Sequence, residues 1–195
     1  MRISRLIVKI GIIVIFCLSG CATHFHAQSA ELTALHSGSL KVPDNPQAPK
    51  LVYIDIYDRN NLAPNLASNI SQSLHSSKFK IVDAPSKAGY ILHVSILRQG
   101  HVSQDSLKKA VDSGYGVPFK FSGNGERAIL ADAILTQRRV PVHKRASHQK
   151  IKNISSRNAL DSAQMRIAIS HHGESKKNEA RDFSSALAQE IARGF

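Results

Sequence analysis

The period of the apolar positions changes along the chain, and each period predicts an element. From Leu51 to Tyr57, Val52, Ile54 and Ile56 alternate with Tyr53, Asp55 and Tyr57, the two-residue repeat of a strand. Asp58 to Asn61 has turn chemistry. Leu62, Leu66, Ile70 and Leu74 then recur every four residues beside Ala63 and Ala67, which predicts an amphipathic helix. Phe79, Ile81 and Ala84 predict a short strand and Pro85 to Gly89 a turn. Tyr90, Leu92, Val94 and Ile96 form one face of a further strand, with Ile91, His93, Ser95 and Leu97 on the other. A strand apolar on both sides is expected to be central and covered on both faces. Gln104 to Ser113 predicts a short helix with Leu107, Ala110 and Val111 inward, and Gly114 to Gly125 a loop. Ala128 to Thr136 and Gln164 to His171 predict strands, the second with Met165, Ile167 and Ile169 on one side. Asn178 is placed to cap a last helix with Glu179 and Asp182 in its first turn and Phe183, Leu187 and Ile191 as its buried stripe. Glu31 to Val42 is a weaker strand signal through Leu32, Leu35, Leu40 and Val42, followed by an extended connector with Pro43, Pro46 and Pro49. The order predicts an α+β domain: a mixed or antiparallel sheet with helices packed on one face, behind an N-terminal tether.

The first 20 residues stand outside this pattern. Arg2, Arg5 and Lys9 precede an apolar run, Ile10 to Leu18, too short to span a bilayer as an ordinary helix of roughly 20 apolar residues. The run ends in Leu18-Ser19-Gly20-Cys21, which resembles the lipobox of bacterial lipoproteins. That resemblance implies cleavage between Gly20 and Cys21 and a diacylglycerol thioether on Cys21, with acylation of the freed amine. Two or three acyl chains anchor stably where one is marginal. Cys17 leaves with the signal, so the mature chain has one cysteine and no disulfide. Ala22 after the cysteine implies sorting to the outer membrane. The organisation expected is a signal peptide at 1–20, a lipidated tether with weak strands at 21–50, and one domain at 51–195.

Charge narrows the picture further. The full chain carries +12. Three of those charges belong to the signal, and residues 133–160 hold Arg138, Arg139, Lys144, Arg145, Lys150, Lys152 and Arg157 with no acid. This segment is either a solvated hairpin loop or a contact for phosphate groups. Lipopolysaccharide, anionic lipid and an acidic partner are the anionic partners it suits, with Arg138, Arg139, Lys144, Arg145, Lys150 and Lys152 as the contact residues. Near an anionic surface each such charge is worth about 1 kcal/mol. Nucleic acid is not expected, because the segment lacks the aromatics of a base-stacking platform.

No catalytic motif is present. A Gly-Lys-Ser phosphate loop, His-Glu-x-x-His and Gly-x-Ser-x-Gly are all absent, and Gly123-Asn124-Gly125 lacks the third glycine and following helix of a dinucleotide loop. Asp55 and Asp58 form the closest pair of acids outside the last helix. His24/His26 and His171/His172 fall short of the three or four convergent ligands zinc requires, and the histidines read as solvated groups. The chain is therefore expected to be non-enzymatic, with no cofactor and no metal.

The stretch Phe79-Lys80-Ile81-Val82-Asp83-Ala84-Pro85-Ser86-Lys87-Ala88-Gly89-Tyr90, with the strands and helix on either side of it, resembles TraT, the outer-membrane lipoprotein family linked to surface exclusion and complement resistance. Asp112-Ser113-Gly114-Tyr115-Gly116 is similar to the family's Gly-Tyr element, and Ile129 to Arg139 with Phe183 to Ile191 to its C-terminal half. The resemblance implies the fold, an outer-membrane location and assembly into oligomers or an envelope complex of conjugation or secretion. One departure matters. The family's long Gly/Ala-rich region that enters the membrane is replaced by Val117 to Asn124, which includes Lys120. A segment that short cannot form a membrane hairpin, so attachment is expected to rest on the lipid.

Overall fold

A computed structural model describes residues 31–41, 49–75, 77–138, 159–173 and 178–195. Six strands form one sheet: β1 (Glu31–Gly38), β2 (Leu51–Tyr57), β3 (Lys80–Ile81), β4 (Tyr90–Val102), β5 (Glu126–Arg138) and β6 (Ala159–His172). Three helices accompany them: α1 (Leu66–Leu74), α2 (Gln104–Asp112) and α3 (Glu179–Ala192). The sheet order is β1-β6-β5-β4-β2-β3. The β2/β3 and β2/β4 pairs are parallel and the others antiparallel. This is the mixed α+β sheet the sequence predicts. A parallel pair requires a crossover, which α1 and the turn before β4 supply.

The main core lies between the sheet and the two helices α1 and α3. Leu66, Ile70 and Leu74 of α1 and Phe183, Leu187 and Ile191 of α3 bury their stripes against Val52, Leu92, Val94, Ile129, Ile167 and Ile169. Alanines at 131, 133 and 188 keep this layer thin. Asn69 of α1 donates to the Ser184 hydroxyl of α3 at 3.0 Å, which fixes the two helices relative to each other.

The helices do not all share that face. The inward residues of α2 are those expected, Leu107, Ala110 and Val111, but they pack with Val102, Ala128, Leu130 and Ala168. In β5 and β6 these residues alternate with the main-core residues, so α2 covers the opposite side of the sheet. Amphipathicity shows that a helix has an inner side. It does not say which side of the sheet receives it.

Several boundaries also differ for local reasons. The first helix begins at Leu66 rather than Leu62, because Asn65 adopts a left-handed φ of 62° just after Pro64. Leu62 and Ala63 instead donate their N–H groups to the Asp58 carboxylate at 3.0 and 2.8 Å. β4 runs on to Val102 because a bulge at Leu97 shifts the register between Ile96 and Arg98 and lets pairing resume. Asn178 sits at the N-cap of α3 without a side-chain cap bond. Val42 and the first two connector prolines lie outside the described residues.

Gly89 marks the closest backbone approach. A Cβ there would lie 2.2 Å from the Pro49 carbonyl oxygen. The Gly89 N–H donates to Leu51 O at 2.9 Å, and Gly89 O accepts from Arg138 N at 2.8 Å. Gly89→Ala therefore forces β2 and β4 apart. It is expected to cost about 1–3 kcal/mol, read as a lower urea midpoint with an unchanged slope.

Candidate functional site

Most of the sequence-predicted site residues lie outside the described residues: the cleavage and lipidation positions Gly20 and Cys21, and the contact residues Arg139, Lys144, Arg145, Lys150 and Lys152. Arg138 is described. It is half-buried at the end of β5, where its guanidinium donates to the Pro85 carbonyl and, at 3.5 Å, to the Ala88 carbonyl. One end of the basic segment thus fastens the Pro85–Lys87 turn that carries the resemblance above.

The strongest polar constellation is buried under α2. Arg166 of β6 is 1% exposed and forks onto Asp132 of β5, with Nε to Oδ1 at 2.7 Å and Nη2 to Oδ2 at 2.9 Å. Its Nη1 donates to Ala110 O at 3.2 Å and to the Ser113 hydroxyl at 2.9 Å. Asp132 Oδ2 also accepts the Gly116 N–H at 2.8 Å. The pair therefore ties the C-terminus of α2 and the Gly-Tyr element to the sheet. Burial, and secondarily the Asp132 charge, raise the Tyr115 phenol above its ordinary 10.0. Sequence reasoning missed this site. Its signal was one charged residue breaking each of two apolar runs, Arg166 within Met165–Ile169 and Asp132 within Ala131–Ala133.

A second cluster sits at the end of the sheet where β1 begins. Glu179, 5% exposed in the first turn of α3, accepts from Arg127 at 2.7 Å. His171 lies 4.0 Å from the same carboxylate. It is 2% exposed and neither ring nitrogen has a hydrogen-bond partner among the described residues, which corrects its reading as a solvated histidine. Its neighbour His172 points outward and meets Glu126 at 2.5 Å, and Gln104 donates to Glu126 at 2.7 Å. Burial alone would raise the Glu126 carboxyl. The hydrogen bonds from Gln104, His172 and Ser170 and the His172 charge outweigh it and hold the group below 4.5. A lowered carboxyl contributes stability above its unfolded value, and that stability is lost as pH falls through the folded value. Acid unfolding below about pH 4.5 should therefore be shallower in Glu126→Gln than in the unaltered chain, as followed by circular dichroism.

A third arrangement lies on the side of the sheet that α2 leaves bare. His93 meets Asp55 at 2.9 Å through Nδ1 and Ser95 at 3.1 Å through Nε2. The order matches an acid–imidazole–hydroxyl relay, but Asp55 is exposed on an open sheet surface. A relay needs a dry site with oxyanion donors, and the described contacts supply neither. Asp55 pairs with His93 while Asp58 accepts backbone N–H groups, so the two acids make no carboxylate dyad. A shallow cleft of about 310 Å³ adjoins Ser95, between Tyr57, Leu62 and Leu97.

Among the described residues no three His, Cys, Asp or Glu side chains converge on a metal position. No helix among them is long and apolar enough to cross a membrane. His24 and His26 lie outside them.

No curated protein sequence matches the chain. Three solved structures are distant likenesses. A PelC dodecamer from Paraburkholderia phytofirmans is 11% identical, covering 83% of this chain and 98% of that one, at a TM-score of 0.38. A DUF4136 family protein from Bacteroides thetaiotaomicron is 10% identical, covering 82% and 92%, at 0.37. A DUF330 protein from Xanthomonas campestris is 8% identical, covering 80% and 87%, at 0.39. The model of the Enterobacterial TraT complement resistance protein family matches residues 37–143. That span is more than half of the chain and holds the Pro85 turn, the Gly-Tyr element and Asp132 in one continuous match, so the chain belongs to the TraT family.

Proposed function

We propose that this chain is a non-enzymatic outer-membrane lipoprotein, held by acyl chains on Cys21. It acts through protein–protein contacts, as an oligomer or as an accessory subunit of a conjugation or secretion complex in the envelope. Surface exclusion and complement resistance are the activities such a complex would serve. The observation that carries the reading is the family match over residues 37–143. The lipobox-like sequence ahead of the matched span agrees with it.

The sheet also bears on the basic segment. β1 begins at Glu31, paired with His172, so the tether from Cys21 joins the sheet at that end. β5 ends at Arg138 and β6 begins at Ala159, paired at the other end. The intervening strands are 13 and 14 residues long, about 40 Å at roughly 3.3 Å per residue. The residues flanking the basic segment, Arg138 and Ala159, therefore lie at the end of the sheet opposite Glu31, the residue the proposed tether would join. An acidic partner or anionic polymer standing away from the anchoring bilayer suits that position better than the head groups around the lipid.

Membrane fractionation with and without globomycin tests the anchor. The unaltered chain is expected in the outer-membrane fraction and Cys21→Ser in the soluble fraction; an anchored Cys21→Ser variant rules the assignment out. Native mass measurement of the detergent-extracted protein tests the assembly, and a strict monomer with no co-purifying envelope protein would remove it.

A further inference from the structure

The two edges of the sheet are complementary to each other. On one side β1 pairs only with β6 among the described residues, leaving Glu31–Gly38 with one open edge. On the other side β3 covers only Leu51 and Val52 of β2. Beyond Val52, the strand neighbour of Tyr53–Tyr57 among the described residues is β4 alone. Val52 O accepts from Val82 N on the outer side at 2.9 Å, and by the alternation of a strand the peptide groups of Ile54 and Ile56 face the same way. Neither edge has a proline or a bulge within it, the usual devices that stop strands from adding.

We propose that copies of this chain join head to tail through these edges, β1 of one copy adding antiparallel along Tyr53–Tyr57 of the next. The inference rests on the oligomeric reading above and names the surface that makes it. Three observations select a second copy as the occupant. The first is strand direction. From β1 across the sheet, three antiparallel pairings and one parallel pairing lead to β2, so β1 runs opposite to β2. A neighbour whose sheet continues this one therefore presents β1 antiparallel to β2, the more stable pairing.

The second is the match of layers. Leu32 and Ala34 of β1 and Ile54 and Ile56 of β2 all pack toward the α1/α3 core, so the junction continues the apolar layer on the same side. The third is the bare half-sheet on the other side. It ends in Tyr57 and Leu97, 48% and 44% exposed. Its central polar groups pair with one another through Asp55 Oδ2, His93 and Ser95, so a neighbour that covers them has to supply a donor to Asp55 Oδ1 alone. In the next copy α2 packs beside β1 through Leu35, which brings that helix next to this surface. A heterologous contact of this kind closes into a ring when its rotation permits, and a closed ring leaves no edge exposed.

The mature chain has no cysteine besides Cys21, which makes cross-linking clean. In full-length protein in its native membranes, Thr33→Cys combined with Asp55→Cys or Tyr57→Cys is treated with a short bis-maleimide, which tolerates a residue of register. The expected result is a ladder of at least three multiples in one of the double variants, and its loss in every single variant. A native oligomer with no ladder in either double variant overturns the edge contact while leaving the oligomeric reading intact, whereas a native monomer overturns both. Efficient dimers from Asp55→Cys alone would assign an isologous β2–β2 contact instead, and cross-links only to other proteins would assign a foreign partner. If Asp55→Cys reacts only after deletion of residues 142–156, the edge belongs to the chain's own basic segment. Each of those three outcomes also overturns the proposal.

Discussion

Asp132→Ala, introduced into the mature chain with Cys21 replaced by serine, is expected to lower stability by about 3–5 kcal/mol. The substitution leaves Arg166, 1% exposed, as a buried cation whose remaining partners are the Ala110 carbonyl and the Ser113 hydroxyl. An uncompensated buried charge costs that much after relaxation. For a domain of this size the melting temperature should fall by about 10–15 °C. The same change removes the acceptor of the Gly116 N–H, so protection of the 113–117 amides from exchange should fall first. Asp132→Leu with Arg166→Met separates the cost of an orphaned charge from the worth of the pair. Removing both charges is expected to restore most of the loss. A double variant as unstable as Asp132→Ala would mean that the pair holds α2 in place by geometry that no apolar pair can replace.

Phe183→Ala is expected to cost about 3–5 kcal/mol, the usual range for removing a large aromatic ring from a closed core. Phe183 is fully buried on α3, in the layer that also contains Leu66, Ile70, Ile167 and Ile169. The cavity is enclosed by the sheet and both helices, so collapse into it is limited. The comparison is Phe119→Ala. Phe119 packs only partly against the smaller cluster under α2 and stacks edge-on with Phe121 at 6.3 Å, so its loss should cost less than half as much. Urea midpoints at constant slope decide both. Equal losses at the two positions would contradict the burial difference between the two sides of the sheet.

The site residues divide along a physical line. Those proposed from the sequence rest on local order: the lipobox-like Leu18–Cys21 and the acid-free run from Ala133 to Leu160. Those missed depend on partners distant in sequence. Asp132 and Arg166 are 34 residues apart, and Glu126 and His172 are 46 apart. Arg138 shows both sides of the division. Its place in a basic run is visible in the sequence, but its binding of the Pro85 and Ala88 carbonyls depends on where β5 ends relative to the turn before β4.

The sequence alone determined the elements, since each depends on a short-range period. The two-residue alternation of β2 and the inward residues of α2 and α3 all hold, as does the mixed α+β class. Tertiary structure decided which side of the sheet each helix covers, which charges are buried together, and that His171 is enclosed while His172 faces outward. It also set Glu31, where β1 begins, and Arg138 and Ala159, which flank the basic segment, at opposite ends of the sheet. A hydrophobic period fixes only that a face is turned inward. The layer that receives it and the partners of its polar groups are set by pairings between residues tens of positions apart, which no local pattern records.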